Sequence, residues 1–233
     1  MAATTDSMTA CMGACRLMRP RSMVATHLSH GSCAGINEQY RRADSISAAM
    51  CQIADPTRCG KYAVTVQTIL RFPDHHLRAT AQRVVVFDED LCALATDLLD
   101  TLRAASAIGI TATHIGVLKR LVVIELAAAD GVRTYVNPQI VWASADMIRH
   151  EEGSVSMPGV TEEIERHARV RMSYQDLSGV EQAEEADGLL SVCLQHEVDQ
   201  LDGIFWIYRL SRLKRDRLVK RFDKTQRTQA SGD

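Results

Sequence analysis

At 233 residues with 46% hydrophobic content, the chain can bury one substantial core and still carry an appendage. A net charge of −2 excludes a global pull toward nucleic acid or membrane. No window approaches the roughly 18 uninterrupted apolar residues of a membrane span, so a soluble protein without membrane contact is expected.

Residues 1–62 are rich in Ala, Ser, Thr, Met and Arg, and Asp6 is the sole acidic residue before Glu38. That composition resembles an organelle transit peptide, with a disordered tail as the alternative; a mitochondrial address is the preferred expectation. Cys11, Cys15, Cys33, Cys51 and Cys59 all fall here, without zinc-ribbon spacing, and the total of seven cysteines is odd. We read a reducing compartment rather than a disulfide scaffold.

Order is expected from near Val64, with a turn at Pro73 and Asp74. Asp88 caps a predicted amphipathic helix whose apolar positions are Leu91, Leu94, Ala95, Leu98 and Leu102 and which ends before Gly109. The small residues of Ala107 to Val117 suggest backbone closely approaching something else. Strands are predicted at Leu121 to Leu126 and from Thr134 through Trp142, a hairpin interrupted at Asn137 and Pro138. His150 to Gly159 reads as a loop of small residues entered by Glu151 and Glu152. Ala168 to Leu177 alternates as a half-buried strand, with Val180 to Ala186 as its partner despite a helix-like composition. Tyr208 to about Gln226 is a basic helix suited to a solvated face or an RNA phosphate surface.

The stretch from Gly188 to Gly203 carries the chemistry. Leu189, Leu190, Val192, Cys193 and Leu194 make an apolar helical run leading into Gln195, His196, Glu197, Val198, Asp199 and Gln200. In the zinc-hydrolase pattern H-E-x-x-H, positions i and i+4 of a helix present two imidazoles to one metal while the Glu handles the proton. Here the second position is Gln200, whose amide oxygen is a poor substitute for an imidazole nitrogen.

Three stretches in order, Gly109 to Gly116, Glu152 to Gly159 and Gln195 to Gly203, resemble the signature motifs of peptide deformylases, approximately G-x-G-L-A-A-x-Q, E-G-C-L-S and Q-H-E-x-D-H. The similarity extends over residues 64–226. It implies an α+β fold with antiparallel or mixed strands around a central motif helix, plus a C-terminal helix. The domains would be 1–62 (extension), 63–226 (deformylase-like) and 227–233 (tail). The family activity is metal-dependent hydrolysis of the N-formyl group from the initiator Met of nascent chains. A divalent metal, Fe or Zn, is held there by one Cys and two His.

Carried over residue by residue, Glu197 takes the catalytic acid/base position and His196 a ligand position. Ser154 stands at the Cys position, Gln200 at the second His position, and His114 replaces the Gln that donates to the oxyanion. Ala107 and Thr111 also depart from the motif. Ile108, Gly109, Ile110, Gly153, Val155, Leu189, Val192 and Cys193 fall at or beside positions where the family lines its Met side-chain pocket and substrate backbone, while His150 places a polar ring near a usually apolar position. An alcohol stays protonated near neutral pH and binds metal weakly. Weak or lost catalysis with formyl-Met peptide binding kept is therefore expected; an active divergent deformylase with a modified metal site is the alternative. Nascent chains, and the ribosome through the basic C-terminal helix, are the expected partners.

Overall fold

The computed structural model describes residues 65–230. The cysteine-rich extension, with its transit-peptide reading, lies outside the described residues. Helix α1, Glu89–Ala104, begins where the Asp88 side chain accepts the Leu91 N–H. Its buried Leu91, Ala95, Leu98, Leu99 and Leu102 face Ile110, Leu121, Val123 and Val136 in one apolar cluster. Each such buried Leu, Ile or Val side chain stabilises the fold by roughly 2 kcal/mol.

Strands β1 (Gly109–Thr111), β2 (Leu121–Ile124), β3 (Arg133–Ala143), β6 (Arg169–Gln175) and β7 (Glu181–Asp187) form an antiparallel sheet in the order β1-β2-β3-β6-β7. The predicted interruption at Asn137 is a register shift within one continuous β3, where Asn137 takes φ 53°. The Asn137 side chain accepts the Val84 N–H at 2.7 Å and donates to the Val84 carbonyl at 2.9 Å, substituting for a strand neighbour. Tight pairing of β6 and β7 overrides the helix-like composition of the latter.

The loop expected from His150 to Gly159 is a second, two-stranded sheet of β4 (Met147–Ser154) and β5 (Met157–His167). Glu-rich composition hides these strands, since Glu is depleted in strands generally. Cross-strand pairing compensates, with Arg149 reaching Glu163 and Glu165.

Helix α2, Gly188–Leu201, is buried along Ser191 to Leu201, polar residues included, and packs against both sheets. The single basic helix expected from Tyr208 is divided. A 3-10 turn, Trp206–Arg209, buries Trp206 and Ile207, and helix α3, Arg212–Ala230, follows after Ser211. The helix thus continues beyond Gln226, where a tail was expected. Leu218 and Phe222 anchor α3 to a cluster with Met157, Val160, Ile164 and Phe205. Among the described residues, no helix is long and apolar enough to cross a membrane.

Candidate active site

A cavity of about 360 Å³ opens between β1, the β4–β5 turn and α2. Its walls include Ile108, Gly109, His114, Gly153, Ser154, Val155, Leu189, Val192, Cys193, His196 and Glu197, and also His150. The three motifs therefore converge in space, as their resemblance implies. Gln200 is absent from that wall.

Buried polar groups require partners, and the α2 cluster shows how most of them find one. His196 Nδ1 lies 2.8 Å from Glu152 Oε2. Glu152 in turn accepts a bidentate pair from Arg166 at 2.8 and 2.9 Å. Arg166 also donates to Asp199, which is held from its other side by Arg209. Burial raises the Glu152 pKa, but hydrogen bonds from Arg166 and His196 outweigh it and bring the carboxyl down to about 2. Burial likewise lowers the His196 pKa, and its bond to Glu152 together with the charges of Glu197 and Glu152 reverses that, for a net rise.

Glu197 has no such support. Its Oε2 finds no partner among the described residues, and burial pushes its carboxyl up to about 7. Gly109 lies so close beside it that a Cβ there would have to push the Glu197 carboxylate aside. This is the close approach expected of the Ala107 to Val117 stretch. Burial also pushes the Cys193 thiol up to about 12, so Cys193 lines the wall as an inert thiol.

His114 is buried at the foot of β1 and its tautomer is set by the backbone. The Thr111 N–H donates to His114 Nδ1 at 3.0 Å, with the Thr111 hydroxyl at 2.9 Å from the same nitrogen. A backbone N–H can only donate, so Nδ1 is the acceptor and the ring proton sits on Nε2. Burial first, and the charge of His196 second, lower the His114 pKa to about 3, which keeps the ring neutral. The ring lines the cavity, and its Nε2–H is a buried donor without a partner among the described residues.

The ligand positions do not fit the family's metal. Gln200 Nε2 donates to the Leu77 carbonyl at 2.9 Å, turning the amide away from the cavity. Ser154 Oγ accepts the Ser156 N–H at 3.2 Å, which pins the β4–β5 turn. Among His, Cys, Asp and Glu of the described residues, no three from the cavity bring ligand atoms within 4.8 Å of one another. A modified metal site that recruited His114 would need the Nε2 lone pair that the Thr111 N–H denies it. The Glu152–Arg166–Asp199–Arg209 chain was missed in the sequence; its one signal was Glu152 at the entry of the second motif.

An α+β scaffold with a buried His-Glu pair on its central helix and a cavity lined by these three motifs defines a deformylase-like hydrolase fold. A family model described as polypeptide deformylase matches residues 66–216. A "Peptide deformylase-like" protein of Brucella melitensis is 64% identical over 164 residues, covering 70% of this chain and 100% of that protein. A "Peptide deformylase" of Phenylobacterium zucineum is 42% identical over 164 residues, covering 69% of this chain and 97% of its own. A crystal structure of a peptide deformylase from Legionella pneumophila superposes with a TM-score of 0.67 at 37% identity, covering 71% of this chain and 98% of that one. The chain belongs to the peptide deformylase family.

Proposed function

We propose that this chain binds N-formyl-Met peptides in the β1–α2 cavity and hydrolyses them weakly or not at all. The observation that carries this reading is the pairing of a fixed donor, His114 Nε2–H, with a Gln200 side chain turned out to Leu77. The donor suits a carbonyl oxygen, and the loss of two ligands leaves nothing to activate water as the family's metal does. Ile108, Val155, Leu189 and Val192 supply an apolar wall for a thioether side chain. Calorimetric titration of the full chain with formyl-Met-Ala and with unformylated Met-Ala tests this. Preference for the formylated peptide supports it, and equal or absent binding of the two sinks it.

The second reading is a divergent, active deformylase. It is favoured by Glu197, whose unpartnered carboxyl near pKa 7 suits proton transfer at neutral pH. Two further proposals concern location. Exposed Arg217 and Lys220 on α3 favour ribosome contact, which charge reversal at Arg215, Arg217 and Arg221 followed by co-sedimentation tests. The composition of residues 1–62 favours a mitochondrial address, testable by fusing that segment to a fluorescent protein.

A further inference from the structure

Outside the cavity, one turn of the described residues gathers metal-ligating side chains. We propose that Asp74, His75 and His76 form a site for a borderline divalent cation such as Zn²⁺ or Ni²⁺. Their ligand atoms all lie within 4.8 Å of one another, the one such set of three His, Cys, Asp or Glu side chains among the described residues. Asp74 Oδ1 is 2.9 Å from His76 Nδ1 and 3.6 Å from His75 Nδ1. Ligands about 2.0–2.2 Å from a shared cation stand about 3.0–3.5 Å apart, so small side-chain rotations complete the set. Two imidazoles and one carboxylate select Zn²⁺, Ni²⁺ or Cu²⁺ over Ca²⁺ or Mg²⁺, which take oxygen ligands in larger number.

The backbone under these side chains is already fixed. Asp74 accepts the His76 N–H at 2.9 Å, its own N–H donates to Arg71, and Leu77 is buried immediately beyond. The Leu77 carbonyl is the one that holds Gln200. The His76 N–H, and then its ring, keep the Asp74 carboxyl below the usual carboxylate range. Side-chain exposures of 31% for Asp74, 85% for His75 and 42% for His76 leave the cluster open to solvent, with room for water as further ligands. The neighbouring guanidiniums point elsewhere, Arg71 to the Val155 carbonyl and Arg78 over the Tyr208 ring. Ligation through His76 Nδ1 needs the ring proton on Nε2, a tautomer open to neutral imidazole. None of the three residues lines the β1–α2 cavity, so the site stands independently of the peptide-binding reading.

The test is calorimetric titration of the full chain with Ni²⁺, after its metals are stripped and its accessible thiols capped with iodoacetamide. The wild type should bind one equivalent more than the His75→Ala/His76→Ala variant. Asp74→Asn should weaken that equivalent at least tenfold, and His196→Ala should leave it unchanged. Ni²⁺ should also raise the unfolding midpoint of the wild type but not of the double variant. The same stoichiometry in wild type and double variant overturns the proposal, and so does loss of the equivalent in His196→Ala. Metal-free unfolding midpoints within error of each other establish that the variants fold alike.

Discussion

The Thr111 N–H donates to Nδ1 of His114 at 3.0 Å, and this one bond decides what the cavity can offer a ligand. It leaves His114, a residue of the cavity wall, with a buried donor in place of a metal-ligating lone pair. His114→Phe keeps a ring and removes the donor, so affinity for formyl-Met-Ala should fall roughly tenfold or more, the cost of leaving a buried carbonyl unpaired. His114→Gln restores an amide donor and should bind within a few-fold of wild type. Fluorescence anisotropy on a labelled peptide reads both.

Burial of Glu197 predicts a pH-dependent penalty. Its folded pKa of about 7 lies above the unfolded carboxylate value, so the folded state holds the proton more tightly. Stability is therefore lost as pH rises through the window from about 4.5 to 7. Glu197→Gln removes the effect and should stabilise the chain by on the order of 3 kcal/mol at pH 8 relative to its effect at pH 4. Urea unfolding of the two proteins at both pH values measures the difference.

The ion chain behind His196 carries the opposite sign. Glu152 is held down to about 2 when folded, so its contribution is complete above the unfolded carboxylate pKa and lost as pH falls toward 2. Arg166→Met leaves Glu152 and Asp199 without their shared partner and should destabilise by about 3–5 kcal/mol at pH 7. The wild type should lose stability between pH 4.5 and pH 2.

If two missing ligands are the cause of weak chemistry, replacing them should restore it. Ser154→Cys with Gln200→His returns a thiolate and a second imidazole beside His196. The Leu77 carbonyl then loses its donor, at a cost of about 1 kcal/mol. We expect the double variant to gain one equivalent of metal that disappears on His196→Ala, together with formate release absent from either single variant.

Much of this was legible in the residues. Asp88 and the spacing of Leu91, Ala95, Leu98 and Leu102 announce α1, because capping and apolar periodicity are local properties. The three motifs placed every expected site residue except Gln200 and Ile110 on one cavity; Ile110 points instead into the core under α1. What was not legible depends on partners distant in sequence. The β4–β5 sheet was masked by its glutamates, and Gln200 turns away for a carbonyl 123 residues distant in sequence. The tautomer of His114 is set by a backbone N–H, about which no side-chain pattern speaks.

The most direct test of the account is formate release from formyl-Met-Ala by the purified chain, prepared anaerobically with Fe²⁺, Zn²⁺, Co²⁺ or Ni²⁺ and compared with Glu197→Ala. Disturbing even a partner of a metal ligand costs roughly 10- to 100-fold, and two ligands themselves are changed here. We predict at most weak turnover above the Glu197→Ala control with every metal, from a protein that still binds the peptide. Vigorous metal-dependent turnover that Glu197→Ala abolishes would contradict the account and establish a working metal centre in the cavity.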